Sequence, residues 1–283
     1  YDEDVQDRLA YTLLDLTRKE SYTLESPLAV LNPFGTGSNG LYMYFRTDAP
    51  TRVTYTVHVE DESIPDYTAT VNNQGADADG YSRLQEFLLI GLVPGMENTV
   101  TLSAETRQQG TAYTFTIDMP ESASGYASQL EVEDGGADAG QLSDGLFYAM
   151  GFGDYYGYTF FFDNEGVLRY EMVLEGYHSD RFLWDDDGSL ITCVGSRKVA
   201  RINRFGQVAQ VYGLGQYELH HDINWGPEGT ILALATDTEG ETVEDQVLKI
   251  DLTTGEVSHV VDFTQVLHGF PFRVGSQGQD GPF

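Results

Sequence analysis

The feature that most restricts this chain is a strand–turn–strand unit that returns along its second half. Phe160–Tyr170 reads as an aromatic strand, a tight turn through Asp163-Asn164-Glu165-Gly166, and a second strand. The same form returns at Phe182–Ile191, Ala200–Val208, Ile223–Leu232 and Lys249–Val257. Each copy carries a glycine at its corner, where a hairpin needs positive φ. Gly188 and Gly229 stand 41 residues apart, and Gly206 and Gly255 stand 49 apart. Two interleaved hairpin types recurring every 40–50 residues or so are the mark of four-stranded propeller blades. Residues 145–283 hold about three such repeats, whereas a closed propeller needs roughly four to eight blades. An open stack leaves a long unpaired edge, which proteins avoid. The chain is therefore expected to be a piece of a longer one, or to complete its ring with further copies as a homo-oligomer or with another chain.

The first half has a different rhythm. In a lead-in over residues 1–24, Val5, Leu9, Leu13 and Leu16 fall at helical spacing behind Asp2, Glu3 and Asp4. This predicts a helix over residues 2–18 that packs that stripe on a sheet. Over residues 25–118, Val53, Tyr55, Val57 and Val59 alternate with Thr54, Thr56 and His58, a period of two. Leu41–Phe45, Gln85–Leu92, Thr99–Ala104 and Tyr113–Ile117 add further β-rich runs separated by Gly, Pro and Asn. These predict an antiparallel β-sandwich. Residues 119–144 are rich in small and acidic residues and read as a linker between domains. The expected fold class is all-β: a short helix, a sandwich, then incomplete propeller blades over residues 145–283.

Charge and cysteine content narrow the function. The 283 residues carry 15 Lys+Arg against 45 Asp+Glu, for a net charge of −30. Such a surface repels phosphate backbones and anionic membrane faces, so nucleic acid is not an expected partner. The longest apolar runs, such as Phe87–Val93, fall far short of the ~20 residues of a membrane span, so no membrane insertion is expected. The single cysteine, Cys193, excludes an intramolecular disulfide and a multi-cysteine zinc site. No phosphate-binding P-loop, Gly-x-Ser-x-Gly elbow or His-Glu-x-x-His motif occurs, and no cofactor is implied.

The densest chemical cluster is Leu219-His220-His221-Asp222-Ile223-Asn224-Trp225, just before the Gly226-Pro227-Glu228-Gly229 corner. It opens the first strand of a blade. In a propeller that strand lines the central channel, and its start faces one mouth. Strand alternation turns one of His220 and His221 to the channel and the other into packing. One blade earlier, Tyr177-His178-Ser179-Asp180-Arg181 occupies the equivalent place, making Tyr177 and Arg181 candidates for substrate contact at the same mouth. Asp185-Asp186-Asp187-Gly188 lacks the downstream glutamate of a calcium loop and reads as a hairpin turn. His58 and His259 read as surface residues.

Three segments then add up to a resemblance. They are Leu31-Asn32-Pro33-Phe34-Gly35-Thr36, Arg46-Thr47-Asp48-Ala49-Pro50 and Gly91-Leu92-Val93-Pro94-Gly95-Met96-Glu97-Asn98-Thr99-Val100. Together they resemble the N-terminal β-domain of bacterial arylsulfate sulfotransferases, the type that uses no nucleotide donor. The His220-His221-Asp222-Ile223 strand with its Gly-Pro-Glu-Gly turn resembles an early blade of that family's six-bladed propeller. The similarity spans about residues 30–118 and 145–265.

The resemblance implies ping-pong transfer of a sulfuryl group from a phenolic sulfate donor to a phenol acceptor through a sulfated histidine. It implies that His221, with His220 as the alternative, binds sulfate or moves a proton. It places the nucleophilic histidine and the sulfate-clamping arginine in later blades, outside this chain, so this chain alone is expected to be inactive. Family habit and the acidic, cysteine-poor composition imply an extracytoplasmic bacterial protein. Two other readings stand beside this one: a non-catalytic extracellular binding or adhesion module, and a different propeller enzyme such as a hydrolase or lyase.

Overall fold

The computed structural model describes residues 1–126, 129–133, 145–151, 157–174, 181–240 and 246–267. It forms two compact units. The first holds Asp2–Leu174 with Arg204–Gln207, and the second holds Glu175–Asn203 and the residues from Val208 onward.

The first unit opens with helix α1, Glu3–Lys19. The Asp2 side chain caps it by accepting from the Val5 N–H at 3.2 Å. Glu3 and Asp4 begin the helix and Arg18 and Lys19 end it, each matching the sign of the nearby dipole end. The buried face differs from the expected stripe. Gln6 and Leu13 are buried with Ala10 partly so, while Val5 and Leu9 stay 39% and 37% exposed. Ala10 lets the helix approach Phe34, Tyr42 and Tyr44 closely. Gln6 donates from Nε2 to the Phe34 carbonyl at 3.0 Å, a polar anchor that hydrophobic spacing does not show.

The sandwich is built around one long strand. Its strands are β1 (Leu28–Leu31), β2 (Leu41–His58), β3 (Tyr67–Thr70), β4 (Ser82–Leu89), β5 (Glu97–Glu105) and β6 (Gly110–Asp118). The first part of β2 lies between β1 and β4, pairing Leu41 with Leu31 and Leu89. Its last part lies between β3 and β5, pairing Tyr55 with Ala69 and Leu102. β6 continues from β5. The ladder to β4 slips between Arg46 and Thr51, around Pro50, which has no N–H to offer. One strand thus serves both sheets. Met43, Phe45, Val53, Tyr55 and Val57 point into the core with Phe87, Leu89, Val100 and Leu102. Tyr42 and Tyr44 face the other way and meet α1.

A three-stranded antiparallel meander completes the first unit: β7 (Phe147–Met150), β8 (Tyr158–Phe162) and β9 (Leu168–Val173). It is the first of the recurring hairpins, and by contacts it groups with the sandwich. Buried polar residues join the two. Arg169, 1% exposed, pairs with Asp163 at 2.6 Å and donates to the carbonyls of Pro65 (2.7 Å) and Gly91 (3.4 Å). Buried Glu171 accepts from Ser38 Oγ at 2.6 Å and the Ala123 N–H at 2.8 Å. Residues 36–38 run against β9 so closely that a Cβ on Gly37 would lie 2.1 Å from the Tyr170 hydroxyl oxygen. Part of the acidic segment 119–144 is also tied to this sheet, since Leu130 N–H donates to the Gly166 carbonyl at 2.8 Å.

The second unit contains two four-stranded antiparallel meanders, the form of a propeller blade. The first runs β10 (Leu183–Trp184), β11 (Leu190–Gly195), β12 (Lys198–Ile202), β13 (Val208–Gly213). The second runs β14 (Tyr217–Trp225), β15 (Thr230–Asp237), β16 (Gln246–Asp251), β17 (Val257–Asp262), followed by the short helix α2 (Phe263–Val266). Gly188 and Gly229 turn the equivalent corners with φ of 80° and 75°. Ile191, Cys193, Val199 and Tyr212 of one sheet share a core with Leu219, Ile223, Ile231 and Ile250 of the other. The chain is thus all-β beyond its helices: a sandwich followed by antiparallel meanders of blade form.

Candidate functional site

β14 does not run as a regular strand. Leu219 pairs with Ala235 and Ile223 with Ala233, so a four-residue step on β14 faces a two-residue step on β15. Three residues of β14, His220, His221 and Asp222, thus stand opposite Leu234 alone, a surplus of two. Leu219 and Ile223 are both buried and hold the ends of this bulge in the core. His221 takes φ of 57°, left-handed backbone that few residues other than glycine adopt. Bulges of this kind re-aim side chains, and strained backbone gathers at functional sites.

The bulge corrects the alternation expected for the two histidines. Strand pleat does not divide them, because the ladder is interrupted where they stand. His220 is half-buried, and its Nε2 shares a hydrogen bond of 2.6 Å with the Thr236 hydroxyl on β15. That contact fixes the ring plane. His221 is exposed, with its ring centroid 6.3 Å from that of His220.

Arg181 lies just before β10, and its Nε donates to Asp222 Oδ1 at 3.0 Å. The two residues stand seven before Gly188 and seven before Gly229, so they occupy equivalent places in successive repeats. Their side chains are 47% and 40% exposed, which makes the pair worth about 1 kcal/mol or less. Its role is positional: it holds a guanidinium beside the histidine bulge. Next to Asp222 and Asn224 lies a shallow cavity of about 220 Å³ with an apolar floor of Leu232, Leu234 and Val247.

Three of the residues singled out from the sequence, His220, His221 and Arg181, thus come together in the second unit. Tyr177 lies outside the described residues, as do His178 and His268. His58 is an exposed sandwich residue bound to Asp66 at 2.7 Å. His259 bonds to Gln246 across β16 and β17. Asp185 and Asp187 accept from Arg201 at 2.7 and 2.9 Å beside the Gly188 corner, as in a hairpin turn. Among the described residues no group of three His, Cys, Asp or Glu side chains is arranged to hold a metal ion. No helix there is long and apolar enough to cross a membrane.

Sequence reasoning missed Thr236 and the part played by Asp222. The acid beside the double histidine is itself a signal. Thr236 has none, since only the slipped register of β14 on β15 brings it to His220.

Chemically, the site offers two imidazoles and a guanidinium, all donors suited to the oxygens of an anion. The sequence matches the family model described as Arylsulfotransferase (ASST) over residues 131–274. It matches the model described as Arylsulfotransferase Ig-like domain over residues 28–120. Among solved structures, the crystal structure of BamB from Moraxella catarrhalis aligns at 13% identity with a TM-score of 0.27, a likeness too distant to bear on function. That alignment covers 84% of this chain, which spans only 63% of the BamB chain. No curated protein matches the chain.

Proposed function

The chain belongs to the arylsulfotransferase (ASST) family, and we propose that it supplies part of a site that moves a sulfuryl group from a phenolic sulfate ester to a phenol. His221 binds a sulfate oxygen or transfers a proton, and His220 is the alternative. Arg181 adds positive charge to the sulfate oxygens, and Tyr177 is the second proposed substrate contact. The observation that carries this reading is the β14 bulge, which sets His221 in left-handed backbone beside His220 and Arg181.

Sulfuryl transfer resembles phosphoryl transfer, with a loose transition state whose charge rests on the oxygens that stay with sulfur. Donors aimed at those oxygens are the main requirement. An imidazole nucleophile divides the reaction in two. In the first half its nitrogen bonds to sulfur as the bond from sulfur to the donor's phenolic oxygen breaks, and a proton goes to the leaving phenolate. In the second half the acceptor phenol loses its proton, its oxygen bonds to sulfur, and the nitrogen–sulfur bond breaks. We place this nucleophile outside the chain. His58 and His259 are engaged elsewhere, with Asp66 and Gln246. We also place the protein outside the cytoplasm.

The test is release of p-nitrophenolate from p-nitrophenyl sulfate in the presence of phenol. The expected result is no turnover by this chain alone, and turnover by the product of the reading frame if that frame continues into further hairpin repeats. In that longer protein, His221→Ala lowers kcat/KM by about 100-fold or more. Full activity of His221→Ala would refute the role given to His221 and favour the binding-module reading.

A further inference from the structure

The first unit contains a cavity of about 170 Å³ bounded by Tyr55, Val71, Phe87, Leu88, Arg204 and Phe205, all of which belong to that unit. Tyr55 and Phe87 stack with ring centroids 6.0 Å apart and planes 11° from parallel. Phe205 meets Tyr42 edge-on at 5.5 Å. Three aromatic rings therefore line part of the wall, beside Thr70, Val71, Asn72 and Leu88, with one cation in it. The Arg204 guanidinium lies 4.5 Å from the Phe205 ring centroid, and its Nη1 donates to the Asn72 carbonyl at 3.3 Å.

What sets Arg204 apart is partial burial without a carboxylate partner. Among the described residues, Arg52, Arg107, Arg169, Arg181, Arg197 and Arg201 form ion pairs; Arg8, Arg18, Arg46 and Arg83 form none and are exposed, while Arg204 forms none and is partly buried. Glu86, the acid that acts on it electrostatically, accepts the Tyr42 hydroxyl at 2.6 Å. Burial holds Arg204 below the usual arginine range, yet a guanidinium stays charged in a protein. With 45 acidic residues against 15 basic ones, partners of opposite sign are abundant in this chain. A half-buried cation without one is an unfavourable arrangement that a bound anion would relieve.

We propose that this cavity binds a single-ring aromatic anion, an aryl carboxylate or aryl sulfate, with its ring among Tyr55, Phe87 and Phe205 and its anionic group on Arg204. The volume lies below the roughly 300 Å³ at which drug-sized pockets begin, so one ring is the limit. The charged group meets the fork of the guanidinium, and the ring gains aromatic contacts. The proposal uses none of the β14 bulge residues, so it stands or falls apart from the sulfuryl-transfer reading.

The test is titration of the whole chain, followed by NMR, with benzoate, phenyl sulfate, benzyl alcohol and acetate. Benzoate or phenyl sulfate should saturate at millimolar concentration and shift the signals of Val71 and Leu88, and the tighter of the two identifies the head group. Benzyl alcohol lacks the charge and acetate lacks the ring, so both should bind about tenfold more weakly or worse. Arg204→Gln should weaken the anion about tenfold, and His221→Ala should leave its affinity unchanged. If Arg204→Gln does not fold, Phe205→Leu serves instead, with an expected loss of about fivefold. Any of three results would overturn the proposal: neither aromatic anion saturating, acetate matching benzoate, or full affinity in folded Arg204→Gln or Phe205→Leu.

Discussion

The two units solve the problem of joining sheets by different physics. In the first, the sandwich meets the β7–β9 meander through a small apolar cluster of Val59, Ile64, Val93 and Val167 and, beside it, a set of buried polar groups: Arg169 on Asp163, Pro65 and Gly91, and Glu171 on Ser38 and Ala123. In the second, the two meanders meet through aliphatic side chains around Ile191, Val199, Ile223 and Ile231. An apolar joint tolerates small changes of shape. A buried charged joint permits one arrangement, because any other leaves a desolvated group without its partner. The first unit therefore has its geometry specified by chemistry, and the second by repetition of a local hairpin.

The largest expected effect breaks the polar joint. Arg169→Ala leaves Asp163 without its cation and should cost about 3–5 kcal/mol. Hydrogen exchange should quicken in β2, β5 and β8 while β11 and β15 keep their protection. Equal loss in both units would erase the contrast. Next is Ile231→Ala, which opens a hole in the apolar joint and should cost about 3 kcal/mol. Its unfolding should show in β11, β12 and β15, and a shift seen first in the sandwich would contradict the division.

His221→Gly acts in the opposite direction. Glycine accepts left-handed backbone without the Cβ penalty, so thermal denaturation should show a gain of about 1 kcal/mol. A loss of stability would mean that the His221 side chain, not its backbone, secures the bulge.

The smallest effect should fall on both units alike. Hydrogen bonds from the Ser63 side chain, Tyr81 N–H, Ser189 N–H and Thr254 N–H hold Asp61, Asp77, Asp187 and Asp251 respectively below the usual carboxylate range. A depressed folded value stabilises the protein at neutral pH, above the unfolded value. That contribution is lost as pH falls through the folded values, below about pH 4. Urea midpoints measured from about pH 6 to about pH 3 should decline in parallel for the two units. A fall confined to one would show that turn carboxylates are not the shared cause.

What could be read from the sequence follows the same divide. The hairpin corners at Gly188 and Gly229 were legible because strand, turn and glycine are neighbours in the chain. The inward face of Val53, Tyr55 and Val57 was legible because alternation is local. The grouping of residues 145–174 with the sandwich was not, since Arg169 and Pro65 stand 104 residues apart. Leu41–Phe45 and Val53–Val59 read as separate runs, and only pairing on both sides joins Leu41–His58 into one strand. At the candidate site, His220, His221 and Arg181 stood out by residue type and repeat position. The slip that seats Thr236 against His220 is a property of two strands together, with no mark in either alone.

The sharing of β2 sets where this domain can change length. One added residue just after Val53 would exchange inward and outward side chains on the rest of the strand, moving Tyr55 and Val57 to the outside. The same addition between Thr47 and Pro50 would fall where the ladder to β4 already slips, and both sheets would keep their facing. Insertions and deletions among homologous sandwiches should therefore gather in those few residues and spare the rest of the strand.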